Sequence, residues 1–426
     1  MKEKIKETRL DNGLTILSDR MPGVRSATLG FFFRVGSRHE PDELNGISHF
    51  IEHTVFKGTE RRSALDIAVE TDRLGGNLDA FTTHEDTGFA IKVIDDRVEQ
   101  AFDLVADMLT HPRFDEADLE SEQRVIIEEM KMIDDSPEEL LGDIFHREFF
   151  PSHPLGLSIA GTPETVRTFG HERTQEYQRQ AFGPANLVIT AAGNIEHEKI
   201  LELVAQNNVL ASSEVRGQRS AIKQSATAAP LLIENKPDLE QAHMILATPF
   251  VDGRDERRYA AELLANIIGG GTSSRLWQKV REERGLAYSV GSSAVMFSDC
   301  GIFSVFAGTS PDQVEEVLDI VLDEMRWIVR NGVSAGELQL MKDQTIASIL
   351  LGLEDSAGRA GTLAHMELLH GRQIPVEESI ERVDAVTAEE VHALAVEYFK
   401  TEKIAFVALG DLDKFDLSRE RFEIIR

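Results

Sequence analysis

Two histidines and a glutamate lie close together in the run His49-Phe-Ile-Glu-His53. Leu44, Ile47, Ile51 and Val55 recur at helical spacing, which predicts a helix over residues 42–56. Residues i and i+4 of a helix share a face, about 5–6 Å apart. His49 and His53 can therefore point at one metal ion. Glu52 flanks the same face and can reach a metal-bound water rather than the metal. This H-x-x-E-H order is the inverted form of the zincin motif. Two neutral imidazoles and a carboxylate leave a fourth zinc position open for water. Zinc lowers the pKa of that water and polarises a scissile carbonyl. A nearby carboxylate can then take the proton and pass it to the leaving amine. Taken alone, the motif also fits two half-exposed histidines on an ordinary helix.

A third ligand must come from another element. Residues 118–133 are expected to form a helix whose buried stripe is Leu119, Ile126, Met130 and Ile133. Glu122 and Glu129 fall on or beside that stripe, while Glu128 points more towards solvent. A carboxylate on an apolar face is costly unless it is paired or bound to metal. The bland alternative is a helix rotated so that both glutamates are solvated.

The elements that position these residues recur. The run 182–195 (FGPANLVITAAGNI) resembles 399–412 (FKTEKIAFVALGDL), an offset of 217 residues, about half the chain. Each follows a helical pattern, at 172–180 and 389–398, and each reads as a turn and then a buried strand ending at Gly193 or Gly410. Helices at 42–56 and 256–268, strands at 89–94 and 302–306, helices at 98–109 and 314–329, and helices at 118–133 and 335–350 fall in the same order. A duplicated domain is implied. At the place matching the motif, the second half has Ala260-Ala-Glu-Leu-Leu-Ala-Asn266, without a histidine pair. The expected fold class is α+β: two homologous domains, each a mixed β-sheet with helices packed on one face. The domains are expected at 1–210 and 230–426. Residues 211–229, rich in Ser, Ala and Gln with Arg216, Arg219 and Lys223 against the single acid Glu214, would link them and act as a hinge.

With 426 residues the chain suits two cores rather than one. A net charge of −29 argues against nucleic-acid binding and permits attraction of basic peptides. No apolar run approaches the roughly 18 residues of a membrane span. The charged N-terminus, with no apolar stretch behind it, is not expected to be a secretory signal. One cysteine, Cys300, rules out an intramolecular disulfide framework and points to a reducing, cytoplasmic setting, with a mature organellar protein as the alternative. Cys300 is expected in the core on a strand. His84 and Glu85 are expected on a solvated turn, and His146 and His153 in structural roles. The glycines at 269–271 are not followed by the Gly-Lys-Ser/Thr of a phosphate loop, so no nucleotide site is expected.

With Glu129 lying 76 residues beyond His53, the chain resembles the pitrilysin family of zinc metallopeptidases, peptidase family M16. It is most similar to the short-chain branch, which holds the mitochondrial processing peptidase β-subunit and its bacterial relatives. Val35-Gly-Ser-Arg-His-Glu-Pro41, Phe56-Lys-Gly-Thr59, His153-Pro-Leu-Gly156 and Gly161-Thr162 match family segments, and the likeness covers nearly the whole chain.

The resemblance implies that His49, His53 and Glu129 ligate one Zn2+ per chain and that Glu52 is the general base. Glu122 would orient a ligand histidine from behind. Residues 78–83, with Asp79, Ala80, Phe81 and Thr82, would be an edge strand that pairs with the substrate backbone. Arg281 and Tyr288, in a segment resembling the family's arginine–tyrosine segment, would reach the substrate and hold a carbonyl or oxyanion. Their bland alternative is an interdomain salt bridge and a core tyrosine. The family usually has Asn where this chain has Asp79, and an ionised Asp cannot donate a hydrogen bond. The family fold encloses a chamber between two such domains. The expected function is a zinc-dependent endopeptidase acting on peptides or unfolded, presequence-like segments. The alternative is a non-catalytic scaffold or a peptide-binding subunit of a larger complex. Since both the zinc motif and the Arg281/Tyr288 segment are present, a homodimer is expected over a heterodimer with a related subunit.

Overall fold

The structure, a computed structural model, describes residues 5–212, 217, 222–413, 415 and 417–424. Of the expected linker, residues 213–216 and 218–221, with Glu214, Arg216 and Arg219, lie outside the described residues. The chain divides into two compact units. One comprises Met1–Lys131, Leu157–Lys223 and Leu350–Pro375; the other comprises Met132–Gly156, Gln224–Ile349 and Val376–Arg426.

The first unit is built on six strands: β1 (Ile5–Arg9), β2 (Thr15–Arg20), β3 (Ser26–Phe33), β4 (Asn77–Thr82), β5 (Thr87–Ile94) and β6 (Leu187–Gly193). Their order is β1-β2-β6-β3-β5-β4, so β4 is an outer strand. Only β2 and β6 run parallel; the other neighbours are antiparallel. The second unit holds β7 (Leu231–Asn235), β8 (Ala242–Phe250), β9 (Ala287–Met296), β10 (Gly301–Thr309) and β11 (Ala405–Gly410), in the order β7-β11-β8-β10-β9. Its parallel pair is β7 with β11. The second sheet thus repeats the order β2-β6-β3-β5-β4 of the first, parallel pair included, as the internal repeat requires. β6 and β11 are buried throughout, which explains their near-continuous apolar runs.

Side-chain alternation sends successive strand residues to opposite faces. In the first sheet Ile16, Phe31, Phe33 and Ile189 join the main core beneath the helices that include Val98–Thr110 and His171–Ala181. Four helices matter below: α1 (Ile47–Thr54), α2 (Glu116–Asp135), α3 (Pro137–Phe149) and α4 (Ser356–His370). α4 covers the other face, where Leu363 meets Leu17 and Val188. Charge fixes it there. The Glu367 carboxylate is fully buried and receives Arg9 at 2.8 Å and Arg34 at 2.5 Å, and Arg359 donates to Asp19 at 2.7 Å. In the second sheet α3 plays the matching part, packing Leu141, Ile144 and Phe149 on Ala247, Val407 and Leu409. Each sheet therefore carries one helix from the opposite half of the sequence, beyond the helices on its main face.

Several elements differ at their edges. The helix expected over 42–56 is α-helical only over α1, because Gly46 sits at φ +96 and breaks the run. A Cβ at Gly46 would lie 2.5 Å from the Ala160 carbonyl oxygen, so glycine is required. Cys300 lies half-buried in the β9–β10 connection rather than on a strand. His84 and Glu85 lie on the β4–β5 turn as expected but are half-buried rather than fully solvated: Ser37 Oγ lies 2.9 Å from His84 Nδ1, and Arg38 pairs with Glu85 at 2.7 Å. The backbone amides of Ser37 and Arg38 bond to the Thr83 and His84 carbonyls, which draws the turn against the 36–38 loop. No helix among the described residues is long and apolar enough to cross a membrane.

Candidate metal centre

α1 buries Ile47, Ser48, Phe50, Ile51 and Thr54, and so leaves His49, Glu52 and His53 on its opposite face. Its first amides are capped from a distance. Glu40 accepts from the backbone of Gly46 and of Ser48, each at 2.7 Å. A carboxylate at a helix N-terminus satisfies orphan donors and the positive end of the dipole. Burial nevertheless pushes the Glu40 carboxyl up to about 7, against those hydrogen bonds.

α2 lies alongside. Leu119, Glu122 and Ile126 are buried, and Glu129 follows two turns after Glu122 on the same side. Glu128 points to solvent. The His49 and His53 rings sit 4.6 Å apart between centroids. Glu129 Oε1 is 3.9 Å from His49 Nε2, and Oε2 is 3.6 Å from His53 Nε2. One donor atom from each of the three residues lies within 4.8 Å of the others. His49 Nδ1 and Glu129 Oε2 are buried and make no hydrogen bond among the described residues. Unspent buried polar atoms are costly, and two imidazoles with one carboxylate form a donor set suited to zinc. The residues present fit such an ion.

The electrostatics agree with that fit. Burial, then the charge of His53, pulls His49 down to about 4, so its imidazole is neutral with a free lone pair near neutral pH. For His53 burial acts downward, but the Glu122 hydrogen bond and the charges of Glu129 and Glu52 prevail and raise it. Burial raises Glu52, against a hydrogen bond from Thr82 Oγ1 to its Oε2 at 2.7 Å. Behind His53, Nδ1 lies 3.4 Å from Glu122 Oε2, and Lys57 Nζ holds Glu122 Oε1 at 2.5 Å. Burial would lift the Glu122 carboxyl, but these two partners hold it below the ordinary glutamate range.

β4 borders this site through Thr82. Leu78, Ala80 and Thr82 face the helices, whereas Asn77, Asp79 and Phe81 are exposed on the other face. Asn77 Nδ2 donates to both Asp79 oxygens at 2.6 Å. Arg281 and Tyr288 belong to the second unit. The Arg281 guanidinium stacks over Trp277 at 4.1 Å and over Tyr288 at 4.6 Å, and Tyr288 is exposed rather than a core tyrosine. His146 and His153 bind the backbone of Leu155, a structural use.

The match of the chain to protein families is direct. Residues 15–163 match the model described as insulinase (peptidase family M16), and residues 168–345 match the M16 inactive domain. An uncharacterized zinc protease of Streptomyces coelicolor is 39% identical over 407 residues, covering 92% of this chain and 86% of that protein. The chain belongs to peptidase family M16. A second M16 relative, the uncharacterized zinc protease YmxG of Bacillus subtilis, is 36% identical over 95% of this chain and 98% of its own length. The fold of this M16 member also matches the crystal structure of a protease from Helicobacter pylori, with a TM-score of 0.87 at 21% identity, covering 96% of this chain and 99% of that one. The second half has no histidine pair at 260–266, where the first half carries the motif, which agrees with the family's inactive domain.

Two contributors to the site, Lys57 and Glu40, were not singled out from sequence. Lys57 was legible in principle, since it follows His53 by four residues and shares its helical side. Glu40 lies in an irregular loop and carries no periodic signal. Thr82 was expected to offer its backbone; its hydroxyl contact with Glu52 depends on the tertiary approach of β4 to α1.

Proposed function

We propose that the chain is a zinc-dependent endopeptidase acting on peptides and on unfolded or presequence-like segments, with one zinc per chain held by His49, His53 and Glu129. Zinc bound there would supply a water of lowered pKa and polarise the scissile carbonyl. Glu52 is the general base: its carboxylate takes a proton and returns it to the leaving amine. Its placement beside both histidines and its pKa, raised by burial, suit that task. Glu122 orients His53 through Nδ1. Asp79, Ala80, Phe81 and Thr82 lie on a strand whose outer edge pairs with no other strand among the described residues, which suits pairing with an extended substrate. Arg281 and Tyr288 are assigned to the substrate carbonyl through the family resemblance. One chain carrying both sets favours a homodimer, and the single cysteine favours the cytoplasm.

The observation that carries this reading is the convergence of three ligand atoms within 4.8 Å beside Glu52. The test is cleavage of a mixed peptide library by the purified chain, with bound zinc quantified, with and without a chelator. Cleavage that stops on chelation and returns with zinc supports the reading. Failure to cleave any peptide after zinc is restored would move the function to a scaffold or peptide-binding subunit.

A further inference from the structure

Glu122 and Glu129 stand two turns apart on one side of α2, and both approach His53, at 3.4 Å and 3.6 Å. Chemically they are equivalent. They differ in burial, in the His53 nitrogen each faces, and in that Lys57 pairs with Glu122 alone. The Lys57 ammonium lies 2.5 Å from Glu122 Oε1, and this is its one ion pair among the described residues. Lys57 follows His53 by one helical turn, on the short turn Val55–Lys57 that extends α1. The two side chains therefore reach α2 from the same side. They divide one carboxylate between them, Oε1 to Lys57 and Oε2 to His53 Nδ1.

The terminal torsion of a glutamate is broad, so a carboxylate held at one oxygen can still turn. The Glu122 side chain is only 4% exposed, so bulk solvent has little access to it as a second anchor. Lys57, with 36% of its side chain exposed, brings a charge in from the surface. We propose that Lys57 is a positioning residue for the metal centre. By holding Oε1 of Glu122 it fixes Oε2 on Nδ1 of His53, and so keeps Nε2 as the nitrogen that faces Glu129. It also engages Glu122 as the orienting carboxylate and leaves Glu129 to the metal. The inference rests on reading His49, His53 and Glu129 as a metal site, but not on peptidase activity.

Two measurements on the full chain test it. The first is zinc affinity by chelator competition for wild type, Lys57→Met, Lys57→Arg, Glu122→Gln and the Lys57→Met/Glu122→Gln double variant. Loss of an outer partner of a ligand histidine weakens metal binding by about 10- to 100-fold. Lys57→Met should fall in that range, Lys57→Arg should stay within a few-fold of wild type, and Lys57→Met should add nothing in the Glu122→Gln background. The second is the ring tautomer of His53 in the metal-free protein at mildly alkaline pH, read from 15N-histidine spectra. Wild type should show one tautomer, protonated at Nδ1, and Lys57→Met a mixture. This readout needs neither zinc nor substrate, so it separates failure of the inference from failure of the proposed function. Wild-type zinc affinity in Lys57→Met with a single tautomer, or an equal loss in both backgrounds, would overturn the proposal.

Discussion

The hydroxyl of Thr82 donates to Oε2 of Glu52 at 2.7 Å, and so joins the last residue of the outer strand to the carboxylate between the two histidines. The bond is available only to the ionised or acceptor form of Glu52, and it opposes the upward pull of burial. One contact thus sets both the direction in which the carboxylate points and the ease with which it holds a proton.

Replacing Thr82 by Val removes the donor and leaves burial opposed only by the charge of His53, so the Glu52 pKa should rise further. The acid limb of the kcat/KM profile should move to higher pH. A hydrogen bond to a charged group contributes about 1.5–3 kcal/mol, so the loss at the acid end should be roughly ten-fold or more. Thr82→Ser keeps the hydroxyl and should restore the profile. A Thr82→Val profile that overlays wild type would remove Thr82 from the site's chemistry.

The segment after α1 is anchored by Asp107, whose buried carboxylate receives Thr59 and Arg62, each at 2.7 Å, and Arg61 at 2.9 Å. Burial would raise this carboxyl, but the three donors hold it below the ordinary aspartate value. The folded form therefore binds a proton less readily than the unfolded form. The stability Asp107 contributes is present above the unfolded pKa of about 4 and is lost as pH falls through the lowered folded value. Asp107→Asn removes one of three carboxylates on the mostly buried Arg62, which keeps Glu70 and Asp103, and should cost about 1.5–3 kcal/mol in urea unfolding at neutral pH. Its stability should also fall less steeply than wild type on acidification.

Asp79 should read charge on the substrate if an extended peptide adds to β4. Its neighbours across the sheet are small: Ala90 lies opposite Asp79, and Gly88 lies opposite Phe81. A cross-strand ion pair is worth about 0.2–1 kcal/mol, or up to roughly five-fold in rate. Peptides with Lys or Arg at the facing position should be cut faster than those with Asp or Glu, and Asp79→Lys should reverse the order. An unchanged order in Asp79→Lys would place the substrate elsewhere.

Much of the site was legible because it sits on helices. The i,i+4 spacing brought His49 and His53 together, and the buried stripe of 116–135 set Glu129 and Glu122 apart from Glu128. The repeat at Gly193 and Gly410 revealed the two sheets, since a strand buried on both faces leaves a continuous apolar run. What escaped was long-range. Amphipathic patterns show that α3 and α4 bury one side, but not which sheet receives it; that choice is made by pairs such as Glu367 with Arg9 and Arg34, more than 300 residues apart. The Glu40 cap and the Thr82 hydroxyl depend likewise on loops and strands meeting α1 in space.

The central claim is that Glu52 moves the proton while His49, His53 and Glu129 hold the metal. Glu52→Gln separates the two, since it removes the base and leaves all three ligands. The measurement is turnover of a cleaved peptide alongside zinc content in the purified Glu52→Gln chain. The account predicts zinc near the wild-type level, an unchanged melting temperature and turnover reduced by about 100-fold or more. Turnover at the wild-type rate with zinc bound would contradict it.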